Sequence, residues 1–230
     1  GIGMAIAERL ASNGANVFFS YLHTGGEKLE QGEALEVLRA KGVRAESLEI
    51  DLSLPDAARR LFAAAVEQLG YIDILVNNAA CSENDGIDAI SADEIDRHFS
   101  VNTRTPMLLV RELYGRAVLE RGGRVVNITS GQAVGPMPDE LAYISSKAAL
   151  DGFTMSVAPA LMHRGVTINS IDPGATDTGW ITDELRERLV RESPLGRVMQ
   201  PDDAARLVLF LASGEAGCIT GQVIHSRGGA

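Results

Sequence analysis

Cysteine is nearly absent from this chain. Two in 230 residues, Cys81 and Cys218, are too few and too far apart for a disulfide framework or a zinc site. They suit a reducing, cytoplasmic compartment. Histidine is equally sparse, with four residues at no metal-ligand spacing, so no metal is expected. No apolar run approaches the ~20 residues that a membrane helix needs, which argues against a membrane protein. No basic segment followed by an apolar one opens the chain, as a secretory signal would. Basic charge is also scarce. Lys and Arg number 21 against 31 Asp and Glu, and the net charge of −10 argues against a nucleic-acid partner, which would want a basic face. Repeats, low-complexity tracts and linkers are missing too. What remains is an ordinary globular composition, 45% hydrophobic, at a length that suits one large domain. Residues 1–230 are therefore read as a single domain.

Apolar strand-like runs alternate with amphipathic helical ones. Strands are expected at 17–20, 43–50, 72–76, 124–128, 166–171 and 222–224. Helices are expected at 4–10, 27–41, 56–69, 91–119, from Tyr143 to about residue 163, and at 204–212. The helix at 91–119 is read as one long element despite Pro106. This alternation predicts an α/β fold, a doubly wound parallel sheet of Rossmann type covered by helices on both faces. Residues 179–193 read as a short amphipathic lid over a substrate pocket. Within it, Trp180 either walls the pocket or anchors the lid.

The sequence opens on Gly1-Ile2-Gly3, followed directly by a helix. Glycines at a helix start let the backbone approach an anion, and the free N–H groups and helix dipole attract it. Such a turn normally follows a buried strand. The expectation is therefore that a first, central strand and the front half of the glycine turn lie outside this sequence.

Tyr143 and Lys147 share one face of a helix, with Cβ atoms roughly 5–6 Å apart. An ammonium at that place favours the phenolate, so a lowered Tyr143 pKa is expected. A tyrosine tuned in this way serves as general acid/base in carbonyl and alcohol chemistry. The plainer alternative is an amphipathic helix pair. Ser130 follows the strand at 124–128, where its hydroxyl could bond the oxygen whose charge changes. It could equally be a turn residue, since Ser-Gly is turn-forming.

Taken together, the motifs resemble those of the short-chain dehydrogenase/reductase family in its single-domain form, along essentially the whole chain. Gly1-Ile2-Gly3 is similar to the end of the family's T-G-x-x-x-G-I-G turn. Asp51-Leu52 resembles its adenine-contacting Asp-Val, and Asn77-Asn78-Ala79-Ala80 its N-N-A-G, with Ala80 in place of Gly. Asn102 falls at the catalytic Asn, and Ser130, Tyr143 and Lys147 complete the tetrad. Pro173-Gly174, Thr176 and Thr178 resemble the P-G-x-x-x-T segment that holds the nicotinamide. Ile219-Thr220-Gly221-Gln222 and Gly228-Gly229 resemble the C-terminal signature.

The resemblance implies hydride transfer between NAD(P)H and a small carbonyl/alcohol pair. Tyr143 would protonate the oxygen and Ser130 polarise it. Lys147 would tune Tyr143 and hold the nicotinamide ribose. The Asn102 backbone carbonyl would hold a water leading to Lys147. Asn77 reads as structural. Wording closest to 3-oxoacyl-carrier-protein reductases suggests a 3-oxoacyl thioester, with Arg121, Arg124 and Arg164 as a candidate docking face for an acidic carrier. At the end of the strand at 17–20, where NAD-dependent relatives carry Asp, stands Tyr21, followed by Leu22 and His23. No acid is there to repel a 2′-phosphate, so NADP(H) is favoured over NAD(H). Substrate contacts are expected from residues 81–90, 132–140 and 179–193. By family analogy a homotetramer is expected. The competing reading is a catalytically silent dinucleotide sensor or scaffold of the same fold.

Overall fold

The structure, a computed structural model, describes residues 1–23, 31–116, 122–131 and 134–229. It begins with α1 (Ile2–Ser12), β1 (Val17–Tyr21), α2 (Gln31–Arg39), β2 (Ala45–Glu49), α3 (Ala57–Leu69) and β3 (Ile74–Asn77). Next come α4 (Ala92–Phe99), a π-helical turn (Ser100–Arg104) and α5 (Thr105–Arg116). It closes with β4 (Gly123–Ile128), α6 (Leu141–Met162), β5 (Val166–Asp172), α7 (Asp183–Glu192), α8 (Pro201–Ala212) and β6 (Val223–His225). Every strand pairing among the described residues is parallel.

All seven residues of β5 are buried, as befits a central strand covered on both faces. Alternate side chains divide between two cores. Val125 and Ile168 pack with Phe62, Val110 and Leu161 of α3, α5 and α6. Val126 and Ile171 pack instead with Ile6 of α1 and with Val208 and Leu211 of α8. Each such aliphatic contributes roughly 1.5–3 kcal/mol by leaving water. The result is the expected Rossmann-like α/β arrangement of three layers.

The sheet is in two pieces, β1–β2 and β3–β4–β5–β6. Between them lies a cavity of about 740 Å³, walled by Val17, Phe19, Leu75 and Asn77, and by Ile6 and Leu10 of α1. Residues of both β1 and β3 line it. Helix α3 touches both β1 and α5 and so joins the two pieces.

One element is corrected. Residues 91–119 do not form a single helix. Ser91 opens α4 with a reciprocal capping box to Glu94. After Phe99 the chain widens into the π turn, where the Thr105 N–H donates to the Ser100 carbonyl. Pro106 is the physical reason. It has no N–H to return an α-helical bond to the Asn102 carbonyl, and its ring crowds the preceding turn. Widening there relieves both, and π insertions recur at functional sites. Residues 27–30 and 117–119 of the expected helices lie outside the described residues.

Candidate active site

Strand β4 delivers Ser130 to the carboxyl end of the sheet, and α6 lays Tyr143 and Lys147 beside it. The Ser130 and Tyr143 side chains hydrogen-bond each other. Lys147 is fully buried; its Nζ donates to the Ile128 carbonyl at 2.8 Å and lies 5.8 Å from the Tyr143 ring centroid. Asn102 is buried in the π turn, not on a helix surface. Its amide Nδ2 donates to the Cys81 carbonyl and to Ser146 Oγ, and its Oδ1 accepts from the Cys81 N–H. Thr103 Oγ1 donates to the Ser146 carbonyl, while Ser146 Oγ donates to that of Tyr143. The π turn is thus bolted to α6 between Tyr143 and Lys147, and all four tetrad positions come together.

The expected effect of Lys147 on Tyr143 is corrected. Burial pushes the Tyr143 pKa above its ordinary value; the Ser130 hydrogen bond opposes this, while the charges of Glu140 and Asp172 push further upward. Lys147, whose Nζ donates to the Ile128 carbonyl, does not reverse the balance. Burial also pulls its own pKa down to about 8, against the attraction of Asp151. At neutral pH Tyr143 therefore carries its proton, the form that a carbonyl reduction consumes.

A second set of residues forms a crevice alongside. Gly1 is the N-cap of α1 and offers no side-chain cap, so the first N–H groups face outward. A Cβ on Gly1 would lie 3.8 Å from Thr178, and one on Gly3 only 2.7 Å from Asn78 Nδ2, so the backbone at Gly3 approaches Asn78 as only glycine allows. Thr176 is buried, with Oγ1 near the carbonyls of Pro173 and Gly174. Asp51 follows β2, and its carboxylate is held low by hydrogen bonds from Ser53. The Leu52 carbonyl accepts from Thr105. Tyr21 ends β1, where its carbonyl accepts from Ile50. Ala79 lies exposed beyond β3. A glycine cradle that a Cβ would fill, open helix N–H groups and a buried amine fit a dinucleotide. Asn77 is structural: its amide starts a buried ladder through Asn127 and Thr154 to Ser170.

Several features escaped the sequence reading. Asp85 is buried, and its carboxylate accepts from the Leu141 and Ala142 N–H groups, the latter at 2.9 Å. It caps α6 from the distant loop after β3, two residues ahead of Tyr143. Asp85→Ala is expected to cost about 1–2 kcal/mol, read as a melting temperature lower by roughly 2–8 °C. Asp85→Asn, which keeps one acceptor, should lose less. Trp180 Nε1 donates to the Thr176 carbonyl, and Arg186 of α7 pairs with Asp177 at 2.7 Å, so residues 179–193 are anchored beside the crevice. Two of the three arginines of the candidate docking face are described. Arg124 is tied to the Ser213 and Gly123 carbonyls, Arg164 stacks on Tyr114, and Arg121 lies outside the described residues. Residues 132 and 133 of the expected substrate loop lie outside them as well. The described residues hold no cluster suited to a metal, and no described helix is long and apolar enough to cross a membrane.

The parallel α/β fold, with a tyrosine–lysine–serine centre beside a glycine crevice at the strand ends, defines a dinucleotide-dependent oxidoreductase. The family model described as "Enoyl-(Acyl carrier protein) reductase" matches residues 1–230. The oxidoreductase YjdA of Bacillus subtilis is 44% identical over 230 residues, 99% of this chain and 91% of that protein. The 3-oxoacyl-[acyl-carrier-protein] reductase FabG of Staphylococcus aureus is 32% identical over 232 residues, 100% of this chain and 93% of that one. The angucycline C-6 ketoreductase LanV, solved with bound NADP, superposes with a TM-score of 0.89 at 34% identity, covering 100% of this chain and 91% of LanV. The chain belongs to the short-chain dehydrogenase/reductase family, NAD(P)-dependent oxidoreductases that act on a carbonyl/alcohol pair.

Proposed function

We propose that this protein is an NADPH-dependent reductase of an apolar ketone, with a 3-oxoacyl thioester as the first substrate to test. The observation that carries the reading is the protonated, Ser130-bonded Tyr143 beside buried Lys147. When bound, the nicotinamide supplies hydride. Tyr143 gives its phenolic proton to the carbonyl oxygen, and the Ser130 hydroxyl donates a hydrogen bond to that same oxygen. Lys147 Nζ holds the ribose and passes protons toward Tyr143. The Asn102 carbonyl, which Pro106 cannot engage, holds the water behind Lys147. Gly1, Ile2 and Gly3 receive the pyrophosphate at the α1 N-terminus. Asp51, Leu52, Asn78 and Ala79 flank the adenine side. Pro173, Gly174, Thr176 and Thr178 hold the nicotinamide.

NADP(H) over NAD(H) is supported by the end of β1, where Tyr21 stands and the strand itself carries no acid, and by the NADP bound to LanV. An apolar substrate is supported by exposed Ile87 (81%), Val134 (46%) and Trp180 (57%) on the loops at the strand ends. Residues 179–193 act as the lid, within one domain spanning 1–230, in the cytoplasm. Exposed Met107 and Tyr114 on α5, with Met155 and Met162 on α6, offer faces for self-association as a homotetramer. A clean monomer by light scattering at micromolar concentration would overturn that assembly.

The test is a panel of 3-oxoacyl thioesters, 3-oxo esters and ring ketones, each with NADPH and NADH, followed by cofactor absorbance. Turnover preferring NADPH is expected. Tight NADPH binding with no turnover across the panel would favour the silent-sensor reading instead.

A further inference from the structure

Beyond the tetrad, a charged cluster ties the C-terminal segment to the catalytic loops. Asp172, at the end of β5, is 1% exposed. Its Oδ1 accepts from the Gly174 N–H at 3.0 Å. Its Oδ2 faces His225 Nδ1 at 2.9 Å and Arg227 Nε at 3.6 Å. Arg227 lies between two glycines. A Cβ on Gly131 would sit 3.0–3.1 Å from Nη1, Cζ and Nη2 of the guanidinium. One on Gly174 would sit 3.2–3.3 Å from Cγ, Cβ and Nε of the same side chain. Gly131 directly follows Ser130, and Gly174 directly follows Pro173. Arg227 Nε is buried with no hydrogen-bond partner, so its one close counter-group is the Asp172 carboxylate.

A buried carboxylate beside a phenol disfavours the phenolate unless a cation compensates it. The charges that act on Tyr143 are Glu140, the N-cap residue of α6, and Asp172 on β5, with Lys147 one turn on along α6; Asp151, His225 and Arg227 lie in turn around Asp172. Arg227 is the permanent cation among them; Lys147, pulled down to about 8, has lost its proton by the pH at which Tyr143 ionises. Lys147 is turned to the Ile128 carbonyl, and Asp172 has Arg227 as its permanent cationic neighbour, beside the His225 ring at 2.9 Å.

We propose that Arg227 is a positioning residue with two linked duties. It screens Tyr143 from the Asp172 carboxylate, and it presses the Ser130–Gly131 and Pro173–Gly174 segments into register by packing on both glycines. The consequence for catalysis rests on the assignment of Tyr143 as the proton donor. The charge coupling itself does not.

The test is ultraviolet titration of tyrosinate in the full-length protein, each variant measured against the same variant carrying Tyr143→Phe, so that Tyr143 alone is read. In Arg227→Met the Tyr143 midpoint is expected to rise by roughly one pH unit. Asp172→Asn should lower it, and Arg227→Met with Asp172→Asn should return it close to wild type. Arg227→Lys keeps the charge but not the flat contact with Gly131. It should hold the midpoint while lowering kcat on the best ketone of the panel. A melting temperature that falls in Arg227→Met with an unmoved midpoint would reduce Arg227 to packing and overturn the proposal. Should Arg227→Met fail to fold, an unmoved midpoint in Asp172→Asn overturns it as well. Shifted midpoints alongside a fully active Tyr143→Phe would uphold the coupling and remove the acid role, so the two failures are told apart.

Discussion

Tyr143→Phe is expected to keep NADPH binding within about twofold while kcat falls by roughly 10²–10⁴, the range of a positioned general acid. Phenylalanine keeps the ring that packs in α6 and loses only the hydroxyl. That hydroxyl is hydrogen-bonded with Ser130, so the substitution removes the proton and loosens the polarising serine together. The pH dependence in wild type follows from the direction of the Tyr143 shift. Burial raises its pKa above the usual phenol value. The acid form, which reduction needs, is therefore fully present through neutral pH and is lost only as pH climbs past the raised pKa. Reduction rates should be flat across neutrality and fall on the alkaline side. Stopped-flow NADPH oxidation and cofactor fluorescence titration check both halves. A Tyr143→Phe enzyme within tenfold of wild type would strip Tyr143 of the acid role.

The positions of these groups were largely legible in the sequence, and their energetics were not. Spacing alone puts Tyr143 and Lys147 on one helix face, and β4 and β5 announce themselves as apolar runs. The glycine pair at the start of α1 indicates an anion crevice because its local chemistry is self-contained. Tyr143 tuning fails as a sequence inference because its sign depends on burial. An i, i+4 ammonium looks decisive on paper, yet Lys147 Nζ turns to the Ile128 carbonyl and desolvation takes over. The break at residues 100–104 was signalled by Pro106. Discounting that proline produced one helix where the chain has two and a π turn. Asp85 and Arg227 left no local trace. Each acts on residues about fifty or more positions away, through contacts that only the folded sheet creates. The two described arginines of the candidate docking face show the same dependence in reverse. Strand-entry arginines that look free in one dimension are held by Ser213 and by the Tyr114 ring.

Lys147→Met is expected to abolish useful turnover and yet stabilise the cofactor-free fold. The amine is completely buried, and its pKa falls from 10.5 to about 8 because burial penalises the charged form. A folded-state pKa below the unfolded value means that the unfolded chain binds the proton more tightly. Below pH 8 the folded state therefore carries the whole penalty, on the order of 3 kcal/mol at 1.36 kcal/mol per unit. As pH rises from about 8 to about 10.5 that penalty is relieved, and wild-type stability gains relative to a variant without the amine. Methionine fills a similar volume without the charge. It also leaves the Ile128 carbonyl without its 2.8 Å donor, which returns roughly 1–2 kcal/mol. The net gain at pH 7 is about 1–2 kcal/mol, or roughly 2–8 °C in melting temperature for a domain of this size. Paired melts of wild type and Lys147→Met at pH 7 and pH 9.5, without cofactor, check it. The variant should melt higher at pH 7, and the difference should shrink at pH 9.5. Saturating NADPH should narrow the gap at pH 7, since only the wild type keeps the amine that holds the ribose. A variant that melts below wild type at pH 7 would mean that the buried ammonium is fully compensated in the fold, and that Lys147 is retained there at no energetic cost.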